Sequence, residues 1–378
     1  FYPRTRIVFG PGAIAQLGAL AGELGARRAL VVSDRGVVQA GHTQRGIEAL
    51  EQAGIETHCF SDLRENPTTD EVAAGVKIAN RYEPELLVGL GGGSSMDCAK
   101  GINFVYSNGG EMRDYHGVGK ALKPMLPMIA VPTTAGTGSE AQSFALISDA
   151  KTHVKMACGD KKASCRVALL DPELTVTQPR QVTALTGIDA VAHAVETFVT
   201  KRRNPASLAF SREAWRLLSA NFTKVLDTPG DIEARGAMQL GACFAGMAIE
   251  NSMLGAAHAL ANPLTAAFGI AHGQAVGLML PHVIRFNGEL HEDWYRQLLE
   301  VSRGQNGCPA PEEGVEGLAG CIREMVISAG LRDRLGQLNV PEDQLPALAA
   351  AAAQQWTGTF NPRPVDAAQL EQIYRRAL

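Results

Sequence analysis

The sequence predicts an α/β fold in which an N-terminal doubly wound parallel sheet is followed by an all-α C-terminal domain. In the first half, short β-branched runs alternate with helical patterns, the rhythm of βαβ units. Past residue 178 strand signals nearly vanish and helical periods remain. At 378 residues the chain also exceeds a single ordinary core, so two domains are expected, 1–178 and 179–378.

The elements follow in order. RALVVSD (28–34) reads as a strand, a helix follows near 43–53, ETHCFSD (56–62) is a second strand, and a second helix covers about 69–81. ELLVGLGGGS runs a third strand into a glycine loop; PMIAVPTTAGTGSE (127–140) repeats the strand-then-loop plan, and RVALLDPELT (166–175) supplies one more strand. Beyond it, GIDAVAHAVETF (187–198), SREAWRLLSANF (211–222), DIEARGAMQLGACFAGMAIEN (231–251) and QLPALAAAAAQQW (344–356) carry helical spacing.

Composition narrows the function class. Hydrophobic residues make up 46% and charged residues 20%, with a net charge of −4, the profile of a soluble globular protein. No basic stripe points to a nucleic-acid partner. Seven scattered cysteines without a Cys-x-x-Cys pair suit a reducing, cytoplasmic setting. The opening FYPRTRIVFGPG has no signal-peptide pattern, and no uninterrupted apolar run reaches the roughly 18 residues of a membrane span, so neither export nor insertion is expected.

GLGGGSSMD (89–97) follows an apolar strand and opens a helix, so its N–H groups and the helix start can hold a pyrophosphate; a plain tight turn reads equally well. TTAGTGSE (133–140) offers threonine and serine hydroxyls to a phosphate, a ribose or an amide, or else caps a helix. Asp34 ends its strand where a carboxylate in doubly wound folds accepts from an adenosine ribose, or it caps the next helix. Together these features favour a dinucleotide-binding domain. A charge at Asp34 would repel a 2′-phosphate and so favour NAD over NADP.

Asp189 and His193 lie four apart on one helical face amid apolar neighbours. A carboxylate beside imidazole suits a divalent cation such as Fe2+ or Zn2+. In LGAAHALANPLTAAFGIAHGQAVGLMLPHV (254–283), His258 and His272 stand fourteen apart, about 21 Å along an unbroken helix. Pro263 and Gly269 are expected to break that helix and let both histidines reach one ion. His282, after Pro281, reads as structural near a helix end, and Cys98 and Cys243 as small core residues.

Taken together, GIDAVAHAVE, HALANPLTAAFGIAH with GQAVGLMLPH, GGGS, TTAGTGSE, ENPT (65–68) and NPRP (361–364) resemble the metal-dependent, iron-activated (group III) alcohol dehydrogenases, whose fold is dehydroquinate synthase-like. The resemblance covers essentially the whole chain. It implies that Asp189, His193, His258 and His272 hold the catalytic metal, Fe2+ or alternatively Zn2+. It also implies that Asp34, Asn66, Gly92, Gly93, Ser94, Thr133, Thr134, Phe144, Lys155 and Leu174 line an NAD site, with which Asp97 and Thr137 of the same loops are grouped. By sequence alone Asn66, Phe144, Lys155 and Leu174 would read as turn, core, surface and core. The implied reaction is hydride transfer between a small alcohol and its aldehyde or ketone, in a homodimer as relatives commonly form.

Two departures stand out. Asn262 occupies a position where relatives commonly carry a further histidine, and Ala271-His272-Gly273 stands where Pro-His-Gly is frequent. The other readings are a glycerol dehydrogenase- or dehydroquinate synthase-like NAD and zinc enzyme, and an inactive nucleotide-binding relative, which the four intact ligands argue against.

Overall fold

The computed structural model describes residues 4–303 and 312–378; Cys308 lies outside them. The chain divides into two compact units, Phe1–Thr134 with Gly138–Thr177, and Ala135–Thr137 with Gln178–Leu378. The tripeptide Ala135–Thr137, inside TTAGTGSE, thus groups with the second unit while its flanks belong to the first.

The first unit is built on strands β1 (Arg6–Phe9), β2 (Arg28–Val32), β3 (Glu56–Phe60), β4 (Leu86–Gly91), β5 (Gly117–Val118), β6 (Met128–Pro132), β7 (Phe144–Ser148), β8 (Lys155–Gly159) and β9 (Val167–Leu170). Six of them form a sheet in the order β1-β9-β6-β4-β2-β3, with every neighbouring pair parallel. Helices α1 (Leu17–Glu23), α2 (Arg35–Gln39), α3 (His42–Gln52), α4 (Thr69–Tyr82) and α5 (Gly93–Asn108) connect and cover it.

Strand alternation explains the two-sided cover. Leu30, Val32 and Leu87 feed one apolar cluster, whereas Ala29, Val31, Val88 and Leu90 feed another. From β2 the chain steps outward to β3 and then returns to the opposite side of β2 as β4. The carboxyl ends of β2 and β4 therefore flank a topological switch point, the place where open α/β sheets bind ligands.

Two features were not legible as elements. β1 is a four-residue edge strand whose only sheet partner among the described residues, β9, lies some 160 residues away, so local pattern carries little trace of it. The small sheet β5-β8-β7 is likewise too short and mixed in direction to announce itself.

The second unit is helical: α6 (Arg180–Val199), α7 (Pro205–Asp227), α8 (Ile232–Asn251), α9 (Ala256–Phe268), α10 (His272–Arg303), α11 (Gly314–Ser328), α12 (Leu345–Ala353) and α13 (Ala367–Arg376). Its core holds Trp215, Phe222, Tyr295 and Tyr374, and the Trp215 indole donates to the Leu298 carbonyl at 2.7 Å. By length and composition α6 alone among the described helices could cross a membrane, yet 83% of its apolar window is buried inside the protein, as befits a core helix.

The expected helix break is only half right. Pro263 lies within α9, which continues through it; the break comes at Gly269, whose φ of +64° ends α9 in the left-handed conformation before α10 begins at His272. Pro281 and His282 sit inside α10, not near its end, and the non-helical residue there is His291. Cys98 and Cys243 are buried and outside any disulfide, as expected of core-fillers, and Cys59, Cys158 and Cys165 are likewise not disulfide-bonded. Cys321 departs from the reducing picture in being disulfide-bonded.

Candidate metal centre and dinucleotide loops

Asp189 and His193 project from the same stripe of α6, one turn apart, where residues Gly187 to Val199 are all buried. Three imidazole nitrogens converge on the Asp189 Oδ1 atom: His193 Nε2 at 3.5 Å, His258 Nε2 at 3.4 Å and His272 Nε2 at 3.7 Å. The His193 and His258 rings stack at 4.9 Å, and those of His258 and His272 meet at 5.4 Å. The structure thus brings the four sequence-predicted ligands together.

The spacing is that of ligands around an ion rather than of hydrogen-bonded partners. Ligand atoms about 2.1 Å from a tetrahedral cation stand about 3.4 Å apart, close to the distances here. Asp189 Oδ1 and His258 Nε2 are buried and have no hydrogen-bond partner among the described residues, a costly arrangement unless a cation completes it. One carboxylate oxygen and three imidazoles are donors suited to a borderline divalent metal. The residues fit the group.

Local structure explains the convergence. His258 stands in the first turn of α9 and His272 opens α10, so both imidazoles come from helix starts. Gly273 allows α10 to approach α6 closely: a Cβ there would lie 2.0 Å from the Leu185 carbonyl oxygen, one turn before Asp189. In α9, Ala256 N–H donates to Asn361 Oδ1 and Ala257 N–H to Glu196 Oε1, satisfying two groups the helix cannot pair itself.

Burial alone would raise the Asp189 carboxyl, but the facing His193, His258 and His272 imidazoles outweigh it and hold it well below the usual carboxylate range. Burial pushes His193 down. For His258, burial opposes the charged form, yet the Asp189 and Glu196 carboxylates prevail and push it up to about 9.

In the first unit, three predicted loops gather at the carboxyl ends of adjacent strands. Asp34 follows β2, caps α2 by accepting from Val37 N–H at 3.0 Å, and accepts from the Ser95 hydroxyl at 3.1 Å. It therefore caps a helix and also lies against the glycine loop. Gly91 has a φ of +153°, and a Cβ on it would meet Ser95 Oγ at 2.3 Å and Asp34 Oδ2 at 3.1 Å. Gly92 caps α5 and Gly93 begins it, so the loop opens a helix as its sequence suggested. Thr133 N–H donates to the Gly91 carbonyl, and Thr134 approaches Gly92 closely enough that a Cβ there would sit 3.3 Å from Thr134 Cγ2.

Three more residues join them. Ser94 Oγ accepts from Asn66 N–H at 3.1 Å, and Asn66 Oδ1 lies 3.4 Å from Lys155 Nζ. Phe144 opens β7 with its ring over Gly159. Asp97 stays with the loops, accepting from the buried Ser139 hydroxyl of TTAGTGSE at 2.6 Å and from Leu146 N–H at 3.2 Å, whereas Leu174 is fully buried in an apolar cluster, leaving its side chain no surface for a ligand. Thr137 belongs to the tripeptide of the helical unit.

Comparison with known proteins adds the decisive observation. The pattern described as "Iron-containing alcohol dehydrogenase" matches residues 3–172, and "Fe-containing alcohol dehydrogenase family, C-terminal" matches residues 183–378. The chain belongs to the iron-containing alcohol dehydrogenase family. It is 33% identical over 382 residues to the NAD-dependent methanol dehydrogenase of Bacillus methanolicus, covering 100% of this chain and 99% of that one. A solved 1,3-propanediol oxidoreductase superposes with a TM-score of 0.93 at 30% identity, over 99% of this chain and 98% of that one. The sulfoacetaldehyde reductase of Bifidobacterium kashiwanohense, solved with NAD+, gives 0.89 at 30% identity over 100% and 98%. This member of the family is accordingly a metal-dependent oxidoreductase acting on alcohols.

Asn262 lies one turn after His258 and donates to Gln355 Oε1 at 3.0 Å, so an amide pair stands beside the converging imidazoles. His282 is not among the converging ligands; burial, with Arg285, Arg323 and Arg376 nearby, pushes it down to about 4. Sequence reading passed over Glu196, a buried carboxylate seven residues after Asp189, and hence on the ligand stripe. Its signal was an acid in an apolar helix with no neighbouring Lys or Arg in sequence. Ser95 and Asn361 were also passed over as contributors; both act through partners distant in sequence.

Proposed function

We propose that this alcohol dehydrogenase interconverts a small alcohol and its aldehyde or ketone with NAD, using Fe2+ held by Asp189, His193, His258 and His272. The observation that carries the reading is the convergence of three imidazole Nε2 atoms within 3.4–3.7 Å of one Asp189 oxygen, with Asp189 Oδ1 and His258 Nε2 otherwise unpartnered among the described residues. A divalent cation supplies acidification of a hydroxyl or polarisation of a carbonyl, and the nicotinamide supplies or accepts hydride.

The chain's own residues do the rest. Asp189 contributes one negative charge beside three imidazoles, a donor set that would leave a bound divalent cation a net charge near +1. The first unit binds the dinucleotide through its glycine backbone, and the Asp34 carboxylate favours NAD by opposing a 2′-phosphate. Iron is preferred over zinc on the name of the family that matches. A homodimer and a cytoplasmic location complete the proposal; the first rests on resemblance to the family, the second on sparse cysteines, five of them outside any disulfide.

The test is an activity screen on protein reconstituted separately with Fe2+ and Zn2+, using NAD and NADP against short alcohols and diols. Turnover with NAD and Fe2+ is expected. NAD binding with no turnover on any metal would favour the inactive relative instead, and turnover with Zn2+ alone would return the metal assignment to zinc.

A further inference from the structure

The Glu196 carboxylate is almost fully buried, at 3% exposure, and both its oxygens are committed to the start of α9. Oε2 accepts from His258 Nδ1 at 2.5 Å and Oε1 accepts from Ala257 N–H at 2.7 Å. Around this contact the chain leaves no slack. A Cβ on Gly255 would fall 2.9 Å from Glu196 Oε1 and 3.1 Å from Asn361 Oδ1. Asn361, the first residue of NPRP, is in turn locked to Asn287 by reciprocal amide hydrogen bonds of 2.7 and 3.0 Å.

We infer that Glu196 is a positioning residue for metal binding: it holds His258 through Nδ1 so that the Nε2 lone pair faces the cation. The inference rests on reading Asp189, His193, His258 and His272 as a metal site. A carboxylate at Nδ1 fixes which ring nitrogen carries the proton, sets the ring's rotation and makes the other nitrogen a better donor. Without it, either nitrogen could carry the proton, and a proton on Nε2 would block the ligand. One stripe of α6 thereby supplies two ligands directly, Asp189 and His193, and orients a third from another helix.

Glu196→Gln separates this role from a structural one. Glutamine keeps the volume and an oxygen for the Ala257 N–H, but replaces the carboxylate facing Nδ1 with a neutral amide. Titration of the metal-free full chain with Co2+, read by visible absorption, is expected to show affinity weakened about 10- to 100-fold and shifted Co2+ bands, with the melting temperature of metal-free protein near wild type. A lower melting temperature with wild-type Co2+ affinity and bands would make Glu196 merely structural and overturn the inference. If Glu196→Gln does not fold, Glu196→Asp carries the same test: its shortened carboxylate should weaken and shift Co2+ binding, and wild-type behaviour would again overturn it. Should wild-type protein itself take up no Co2+, the metal-site reading falls; should wild type and variants bind alike, only the role of Glu196 falls.

Discussion

In the helical unit the candidate metal site is made of side chains, a buried carboxylate, two buried imidazoles and the part-exposed imidazole of His272, whose donor atoms meet. In the sheet unit the candidate dinucleotide loop is made largely of backbone, and what matters there is the side chain that Gly91 and Gly92 lack. The two sites should therefore fail in different ways. Removing a donor should destroy the first without disturbing its helices, whereas adding a single methyl group should damage the second.

The largest expected effect is at the ligands. His258→Ala or His272→Ala should reduce metal content and turnover to background while circular dichroism stays near wild type; full metal content with normal turnover in either variant would break the assignment. Gly91→Ala comes next. Its backbone sits at a φ of +153° and the new Cβ would press on Ser95 Oγ at 2.3 Å, a strain of about 1–3 kcal/mol. A lowered melting temperature and weakened NAD binding are expected, with metal content unchanged; unchanged NAD affinity would refute the cradle.

Asp34 sharpens the contrast, because it is a side chain acting at the backbone site. Asp34→Gly should raise the NADP-to-NAD activity ratio about tenfold, the equivalent of about 1.4 kcal/mol, and an unchanged ratio would reject the role. Because Asp34 also caps α2, its replacement by Gly should cost about 0.3 kcal/mol of stability through the lost cap. Asp34→Asn should move the cofactor ratio in the same direction with less loss of stability.

The smallest effect concerns two imidazoles of the helical unit. Carboxylates push His258 up to about 9, whereas burial among arginines pushes His282 down to about 4. With a folded value below its ordinary 6.5, the His282 contribution is complete above pH 6.5 and is lost as pH falls toward 4, where the unfolded chain binds the proton more readily. His282→Gln should lessen the drop in melting temperature between pH 7 and pH 4.5. An equal drop in both proteins would show that His282 adds nothing to acid lability.

Much of this was readable from local pattern. The alternation of RALVVSD and ELLVGLGGG with helical stretches foretold β2, β4 and a parallel sheet, because each strand buried on both faces must be apolar along its whole length. The i, i+4 pair in GIDAVAHAVETF foretold that Asp189 and His193 share one face of α6. The position of the break between His258 and His272 was read too broadly: proline in α9 is accommodated, and only the left-handed Gly269 ends the helix. Asp97 shows a different limit: it was grouped with the dinucleotide loops by position, but no local pattern records that it accepts from Ser139, 42 residues away in TTAGTGSE.

The amino-acid order alone determined the strand and helix rhythm, the glycine loops, and the kinds of donor available for a cation. These follow from periodicity, backbone freedom and side-chain chemistry, all local properties of the chain. Only the tertiary structure decided that Glu196 grips His258 from another helix, that Asp34 lies against Ser95, that Leu174 is sealed in a core, and that β1 pairs with β9. Each depends on residues brought together across long stretches of sequence by packing, and no local pattern records which distant groups a buried polar atom will find.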